Sequence, residues 1–228
     1  MKPHFEKNGV FLFFLFIYFN MKVGLVDSGI GVIPFLKEII KDNIANQYYI
    51  YIDKEFFPYG EKTESELLER LNQIINYFSN LGINHLLICC NTLSYIYLKY
   101  KPYSNFKVST ILEINLSKKK FLLTTSFLSS KLDTMDGTSL ASFIETNDTT
   151  DIINLIKGLN RSEFVLSCTH YHLIKSLFYI YRKKALSYEK ELVKSIIKDG
   201  NEVEIYLNPN SEENIKKYFK KIKYKIIS

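Results

Sequence analysis

Short apolar runs alternate with helically spaced segments along most of this chain, and that alternation limits the folds it can adopt. The run KVGLVD precedes a tight DSGIG loop (27–31) and the helically spaced segment VIPFLKEII. Further strands are predicted at 48–53 and 85–90, and between them a helix over 64–82 that stops at Gly82. Strands that alternate with helices favour a parallel sheet covered on both faces.

The same pattern restarts in the second half of the chain. Strands are predicted at 106–111, 120–125, 163–168 and 202–208. Helices are predicted at 151–160, 171–184, 188–200 and 211–222, the last with Ser211 as its N-cap. Each half contains a strand that ends in a cysteine followed by polar residues, which indicates a weak internal repeat.

Composition excludes several classes of protein. The 228 residues are 46% hydrophobic and 24% charged, as in a soluble protein with a sizeable core. The net charge of +6 is spread among many acids, so a nucleic-acid surface is not indicated. Three cysteines, two of them adjacent, form neither a disulfide framework nor a metal-ligand spacing, and they favour a reducing, cytoplasmic compartment.

The apolar run VFLFFLFIYF at 10–19 is half as long as the roughly 20 residues that a membrane-spanning helix needs. It has no small-residue cleavage site of the kind that ends a signal peptide. Because MKVGLVDSG from Met21 has the form of a natural start, we predict that residues 1–20 are an upstream extension or a mis-assigned start. A membrane anchor is the alternative, and no stable membrane association is expected.

Polar groups follow four predicted strand or loop ends, where ligands bind in parallel α/β sheets. The four groups are Asp27-Ser28-Gly29, Pro58-Tyr59-Gly60, Cys90-Asn91-Thr92 and Cys168-Thr169-His170. A thiol at a strand end that leads into a helix N-terminus has its thiolate form favoured by the helix dipole, which makes it a usable base.

Each of these residues has a structural alternative when taken alone. A cysteine is more often a small buried hydrophobe, and we accept that for Cys89, which points away from Cys90 in a strand. Asp27 fits a helix cap, His170 a buried core histidine and Glu145 a solvated helix residue. The glycine-rich DSGIG loop could hold a phosphate, but it lacks the third glycine of a dinucleotide fingerprint and the Gly-Lys-Ser/Thr of a P-loop.

The combination is more informative than its parts. Two thiols, each near an acid or an imidazole and on opposing halves of one fold, suit a reaction that needs one base on each face of a substrate carbon. That reaction is racemisation, with hydroxyls, amides and loop N–H groups holding the substrate carboxylates.

At this point the sequence resembles the aspartate/glutamate racemase superfamily, and within it the glutamate racemases. The matching pieces occur in the family's order and span 22–222: VGLVDSGIG, FPYGEK, LLICCNT, SLASFIE and FVLSCTHYHLI, followed by ALSYEKELVKSII and VEIYLNPNSEENIKKYF. The two cysteine motifs together with DSG and PYG are highly specific.

The resemblance implies roles for particular residues. Cys90 and Cys168 are expected to be the catalytic acid/bases, the first serving the D-enantiomer and the second the L-enantiomer. Asp27 is expected to assist Cys90, and His170 to assist Cys168 with Glu145 nearby. The expected substrate-binding residues are Asp27, Ser28, Tyr59, Gly60, Asn91, Thr92, Thr169 and His170, with Thr124, Thr125 or Ser126 as candidates from the family's threonine-rich loop.

The resemblance also implies an α/β fold of two facing domains with parallel-type sheets, related by a pseudo-two-fold axis, with the active site in the cleft between them. The first domain is predicted to comprise 21–98 plus 200–228, and the second, shortened domain 99–199. Neither pyridoxal phosphate nor any other cofactor or metal is expected. The substrate would be L- or D-glutamate, the product D-glutamate would enter bacterial peptidoglycan, and a homodimer is compatible with the family.

Three positions depart from the family pattern: Val32 and Ser167 stand where glycine is usual, and His172 stands where proline is usual. Two alternatives remain open from the sequence. One is a sister enzyme such as aspartate racemase. The other is a degenerate relative that binds an amino acid or a partner protein without catalysis, against which the presence of both cysteines, Asp27, His170 and Glu145 argues.

Overall fold

The computed structural model describes residues 21–227, so the prediction made for residues 1–20 lies outside the described residues. Its strands follow the alternation of the sequence. They are β1 Lys22–Asp27, β2 Gln47–Ile52, β3 His85–Ile88, β4 Lys107–Thr110, β5 Leu122–Thr124, β6 Met135–Asp136, β7 Glu163–Leu166, β8 Lys184–Leu186, β9 Glu204–Leu207 and β10 Lys225–Ile226.

The strands form two sheets. The first has six strands in the order β10-β9-β2-β1-β3-β4, and the second has four in the order β6-β5-β7-β8. Every strand pairing in residues 21–227 is parallel. This confirms the predicted α/β class with parallel sheets. The strands' C-terminal ends therefore gather along one edge of each sheet.

Helices connect the strands. The α-helices are α1 Ile33–Lys41, α2 Glu64–Asn80, α3 Asn91–Tyr100, α4 Ile111–Ser117, α5 Ser126–Ser129, α6 Thr138–Thr146, α7 Thr149–Gly158, α8 Lys175–Ile180, α9 Glu189–Val193 and α10 Glu212–Tyr218. Helix α2 begins with a capping box in which Thr63 and Glu66 exchange hydrogen bonds, and it ends just before Gly82, whose φ is +64°.

Strand β1 shows why the first sheet is covered on both faces. Val23 and Leu25 are fully buried in a cluster with α1, whereas Val26 belongs to a second cluster with α2 and α3. Alternate residues of a strand point to opposite faces, so an almost wholly apolar strand needs helices on both sides. Gly24 lies close to α2, because a Cβ there would be 2.7 Å from the Phe78 ring.

One apolar cluster continues from the first sheet into the second. It contains Leu25 of β1 and Ile205 of β9 together with Leu123 of β5, Leu166 of β7 and Phe178 of α8. The second cluster also joins the sheets, since it contains Val26 of β1 together with Leu122 of β5 and Val165 of β7. The two sheets thus share their apolar core, and the edges formed by their strand ends lie near each other.

The structure differs from the sequence predictions at several points. Strand β4 pairs with β3 in the first sheet, although the predicted boundary at residue 98 assigned it to the second half. The helix predicted over 171–184 is a 3-10 segment, Thr169–Ile174, followed by the short α8. The helix predicted over 188–200 is α-helical only in Glu189–Val193.

Ser211 occupies the N-cap position of α10, as predicted, but its side chain makes no capping hydrogen bond to the helix. Instead its hydroxyl accepts a hydrogen bond of 2.9 Å from the Ile52 N–H at the end of β2, and it is also bonded to Asn208. The Ser211 hydroxyl therefore satisfies the Ile52 N–H at the end of β2 rather than an N–H of the first turn of α10.

Within residues 21–227, no helix is both long and apolar enough to cross a membrane.

Candidate active site

A cavity of about 210 Å³ lies between the strand ends of the two sheets. All four predicted polar groups contribute to it. Its lining contains the following residues named from the sequence: Ser28, Tyr59, Gly60, Cys90, Asn91, Thr92, Thr125, Glu145, Cys168, Thr169 and His170. Among the described residues that line the cavity, His170 alone has a basic side chain, so hydroxyl, amide and backbone groups are the other donors for an anionic ligand.

The two adjacent cysteines have different surroundings. Cys89 is fully buried in the apolar core, and its thiol lies 3.8 Å from the Leu87 carbonyl oxygen. Cys90 lines the cavity at the N-terminus of α3. Burial raises the pKa of the Cys90 thiol above its usual value, and the Asp27 carboxylate raises that pKa further, although the Leu93 and Thr92 N–H groups oppose this. Cys90 is therefore held as a protonated thiol at neutral pH.

Asp27 lies behind the cavity wall at the end of β1, fully buried. One carboxylate oxygen accepts the Gly29 N–H at 2.9 Å, and the other accepts the Thr169 hydroxyl at 2.9 Å. Burial raises the pKa of Asp27 to about 6, although His170, Gly29 and Thr169 favour its ionised form. The Thr169 contact links the end of β1 to the loop after β7, so Asp27 joins the two halves of the site.

Cys168, His170 and Glu145 form a chain of polar contacts on the other wall. The Cys168 sulfur lies 3.7 Å from His170 Nδ1, and His170 Nε2 lies 2.6 Å from Glu145 Oε1. Burial opposes protonation of His170, but Cys168, Glu145 and Asp27 together raise its pKa well above the usual value. The Glu145 pKa is lowered because its bond to His170 outweighs the effect of burial. A protonated imidazole between a sulfur and a carboxylate stabilises negative charge on that sulfur.

Close packing accounts for the glycines of the DSGIG loop. A Cβ on Gly31 would lie 1.9 Å from the Thr169 hydroxyl oxygen, and one on Gly29 would lie 2.9 Å from Glu145 Oε1 and 3.0 Å from His170 Nε2. The loop is glycine-rich because residues of the second half press against it. Phosphate binding, the alternative raised by the sequence, is not needed to explain these glycines.

Tyr59 lines the cavity, but its hydroxyl is committed elsewhere. It donates a hydrogen bond of 2.7 Å to Asp53, whose carboxylate also accepts from Arg70 Nε at 2.7 Å. The ring is therefore held in place from behind the cavity. The part of this loop that remains for ligand contact is the backbone of Tyr59 and Gly60.

The structure distinguishes the three candidates of the threonine-rich loop. Thr125 lines the cavity, and its buried hydroxyl has no hydrogen-bond partner within the described part of the chain. The Thr124 hydroxyl is bonded to Thr134 at 2.7 Å, and Ser126 is absent from the lining. Thr125 is the member of this loop that can offer a free hydroxyl to a ligand.

The three departures from the family pattern have local explanations. Val32 is fully buried in the core beside α1. His172 is also buried, with Nε2 2.9 Å from the Leu166 carbonyl oxygen and Nδ1 3.5 Å from Glu189. Ser167 lines the cavity and bonds to Asn91.

Sequence reasoning missed some residues of the site. Asn115 bonds to Asn91, and Asp53 with Arg70 holds Tyr59. Thr138 and Ser142 of α6 add hydroxyls to the lining. For Ser142 the sequence did contain a signal, because this residue belongs to the SLASFIE segment and lies one helical turn before Glu145. Among the described residues, no group of three or more His, Cys, Asp or Glu side chains is arranged to hold a metal ion.

Comparison with known proteins finds similarity to one group of enzymes. No family model matches the chain. A stretch of 72 residues is 38% identical to the glutamate racemase of Leptospira interrogans, which covers 32% of this chain and only 28% of that protein's length. The glutamate racemase of Lachnospira eligens is 27% identical over 192 residues, covering 69% of this chain and 72% of the relative.

Solved structures extend the likeness to nearly the whole chain. A glutamate racemase isoform from Bacillus anthracis superposes with a TM-score of 0.73 at 18% identity, covering 91% of this chain and 96% of that one. The Francisella tularensis enzyme in complex with D-glutamate gives 0.70 at 16% identity, covering 92% and 98%. The Escherichia coli enzyme in complex with L-glutamate and the activator UDP-MurNAc-Ala gives 0.70 at 16%, covering 91% and 97%. The chain is thus similar to glutamate racemases in sequence and has their fold, which confirms the resemblance inferred from its motifs.

Proposed function

We propose that this protein is a glutamate racemase that interconverts L-glutamate and D-glutamate with two cysteine thiols and no cofactor. One observation carries the proposal. Cys90 and Cys168 follow strands of different sheets and line the same cavity, each beside an acid or an imidazole. Two acid/base groups that reach one cavity from opposite sides are what inversion at a single carbon requires.

The proposed chemistry starts with Cys168 as the base. Its thiolate, stabilised by protonated His170, removes the Cα proton of L-glutamate and becomes a thiol. The electron pair left on Cα is delocalised into the α-carboxylate. The Cys90 thiol then gives its proton to the opposite face of Cα, which yields D-glutamate and a Cys90 thiolate. In the reverse direction the two thiols exchange roles.

The different surroundings of the two thiols fit this assignment. The raised pKa of Cys90 keeps it protonated, as the acid of the L-to-D direction must be. The raised pKa of His170 keeps the imidazole protonated beside Cys168, as the base of that direction requires.

Substrate binding is assigned to the uncharged donors of the cavity. The hydroxyls of Ser28, Thr92 and Thr125, together with the Asn91 amide, would hold the carboxylates. The backbone N–H groups of Tyr59 and Gly60 would add to them. The substrate ammonium would face the buried Asp27 carboxylate across Ser28 and Thr169, which separate it from the cavity.

Several wider features belong to the same proposal. The solved relatives bind D-glutamate or L-glutamate according to their descriptions, and we assign the same substrate class here. D-glutamate made in the cytoplasm would serve peptidoglycan synthesis. We keep the division into residues 21–98 with 200–228 and residues 99–199 as a proposal, amended so that β4 goes with the first sheet.

The test is exchange of the Cα proton. The protein from Met21 onward is incubated with L-glutamate, D-glutamate or L-aspartate in D2O, and loss of the Cα signal is followed by NMR while a chiral assay follows the opposite enantiomer. Cys168→Ser should abolish exchange from L-glutamate, and Cys90→Ser should abolish it from D-glutamate. Cys89→Ser, which changes a core thiol, is the matched control and should retain exchange in both directions.

The outcomes separate the alternatives. Exchange with aspartate rather than glutamate would move the protein to the sister enzyme. No exchange with any of the three, in protein shown to be folded by circular dichroism, would contradict the catalytic proposal and favour a binding protein.

A further inference from the structure

A buried trio of polar side chains, Asn91, Asn115 and Ser167, lies beside the cavity. Asn91 Oδ1 accepts a hydrogen bond of 2.9 Å from Asn115 Nδ2 and one of 2.8 Å from the Ser167 hydroxyl. Asn115 Nδ2 also lies 3.3 Å from the Ser167 oxygen. All three side chains are almost inaccessible to solvent, at 2%, 1% and 1% exposure for Asn91, Asn115 and Ser167 respectively.

The Asn91 oxygen faces the trio because Asn115 presents its Nδ2 group to it, and turning Asn91 alone would place its Nδ2 group against Asn115 Nδ2. Asn115 Oδ1 has no hydrogen-bond partner among the described residues, so the orientations of the two amides are linked. The Asn91 Nδ2 group is therefore directed away from the trio. It is buried and has no hydrogen-bond partner within residues 21–227, while Asn91 itself lines the cavity. An unpartnered buried donor is costly in a folded protein, which indicates that a ligand atom completes it.

The trio also ties together the segments that carry the two thiols. Asn91 follows Cys90 directly, and Ser167 precedes Cys168 directly. Ser167 therefore reaches from the second sheet to the first on one side of Cys168. Thr169 makes the corresponding contact to Asp27 on the other side, at 2.9 Å. Cys168 is thus flanked by two hydrogen bonds that cross between the sheets.

We propose that Asn115 and Ser167 are positioning residues that hold the Asn91 amide with its N–H group toward a carboxylate oxygen of the substrate. The inference deepens the proposed function and rests on it for the identity of the ligand. Asn115 is not among the residues that line the cavity, so it acts only through Asn91. Ser167 acts through the same amide, since its hydroxyl donates to Asn91 Oδ1.

The sharpest variant is Asn115→Asp, which changes one donor into an acceptor without changing the shape of the side chain. Burial raises the pKa of the introduced carboxyl, so at low pH it is protonated and can still donate to Asn91 Oδ1. At high pH it is a carboxylate, which repels Asn91 Oδ1 and attracts Nδ2. The Asn91 amide should then turn and present its oxygen to the substrate carboxylate.

The matched control is Asn46→Asp. Asn46 is buried to the same degree, and its amide is also held by hydrogen bonds, to the Ile197 carbonyl oxygen and from the Asp199 N–H. It lies before β2, at the end of the sheet opposite to the strand ends that carry the site. Any general cost of an aspartate in a buried asparagine position is therefore present in both variants. Ser167→Ala serves as a second variant should Asn115→Asp fail to fold.

Two measurements are made across about pH 6 to 9. Initial rates with L-glutamate and D-glutamate give KM and kcat, and ¹H–¹⁵N spectra of the ligand-free proteins report the Asn91 side-chain amide. For Asn115→Asp we expect KM for both enantiomers to rise by about tenfold or more at the alkaline end and to return toward the wild-type value at the acidic end, with kcat changed by less than about threefold. The Asn91 amide signals should shift over the same pH range. Asn46→Asp should stay within about twofold of wild type. In Ser167→Ala, KM should rise by a similar factor at every pH, because no titrating group is introduced.

Unshifted Asn91 amide signals in folded Asn115→Asp would overturn the inference whatever the activity. So would a KM increase shared with Asn46→Asp. Failure of the wild-type protein to racemise or bind glutamate would instead contradict the proposed function, and the amide spectra would still decide whether Asn115 sets the orientation of Asn91.

Discussion

Gly31 leaves no room for a side chain against Thr169, and this packing provides a quantitative test of how the two halves fit together. A Cβ at position 31 would lie 1.9 Å from the Thr169 hydroxyl oxygen, 2.6 Å from its Cβ and 2.8 Å from Asp27 Oδ1. Real Cβ atoms do not come closer than 3.0 Å to such neighbours, so in Gly31→Ala the two segments must separate by about 1 Å. The Thr169 contact to Asp27 would be lost or lengthened.

The expected cost has two parts. Overpacking of this kind destabilises a folded protein by about 1–3 kcal/mol, which exceeds the gain of about 0.4–1 kcal/mol that a Gly-to-Ala change brings through the unfolded chain. For a chain of this size, a net cost of up to about 2.6 kcal/mol should lower the melting temperature by up to roughly 10 °C. Because a displacement of about 1 Å beside a reacting group can cost on the order of 100-fold in rate, kcat/KM for glutamate should fall by about that factor.

The assay compares Gly31→Ala with Gly24→Ala. The control adds the same methyl group 2.7 Å from the Phe78 ring, in the core between β1 and α2. Thermal melts followed by circular dichroism should show a loss of stability in both variants. Racemisation, measured well below both melting temperatures, should be impaired only in Gly31→Ala. Activity within threefold of wild type in folded Gly31→Ala, or an equal loss in Gly24→Ala, would refute the reasoning.

Three further predictions concern the charges of the site. Burial raises the Asp27 pKa from about 4 to about 6, so the folded protein disfavours the ionised carboxylate, and Asp27→Asn should stabilise the protein by up to about 3 kcal/mol above pH 6. Urea titrations should show this gain shrinking as pH falls from about 6 to 4, whereas activity should decrease. Glu145→Gln should lower the pKa of His170, so the alkaline limb of the kcat/KM profile for L-glutamate should move to lower pH, and an unmoved limb would contradict the role of the pair. Modification of Cys90 by iodoacetamide, followed by peptide mapping, should be slow at neutral pH and should accelerate as pH rises above about 9, because burial and the Asp27 carboxylate raise the pKa of that thiol; rapid modification at neutral pH would argue against Cys90 as the protonated partner.

The sequence was sufficient for those parts of the site that depend on periodicity. Apolar runs that end in polar residues predict parallel strands, and the strand ends of parallel sheets share an edge. The sequence alone therefore predicts that Cys90, Cys168 and His170 lie in one site. The separate fate of Cys89 follows from the same alternation along a strand.

Other parts depend on contacts between segments that are distant in sequence. Asn115 is an unremarkable polar residue within a helix until Ser167 of the other sheet approaches it. The short run that forms β4 contains nothing that specifies which sheet it joins. Ser211 has the form of a helix cap, but a strand-end N–H 159 positions away takes its hydroxyl. For Asn115 and Ser211 the deciding partner lies far along the chain, and local patterns carry no information about it.

The apolar cluster that runs from Leu25 through Leu123 and Leu166 to Ile205 has a consequence for how this protein can vary. The sheets that supply the two thiols do not have separate interiors, so the chain should fold and unfold as one cooperative unit. Neither half can then be exchanged for the matching half of a relative without repacking the interior of the other. Large substitutions at Leu25, Leu123 or Leu166 of this cluster should change the spacing and alignment of the thiols as well as the melting temperature.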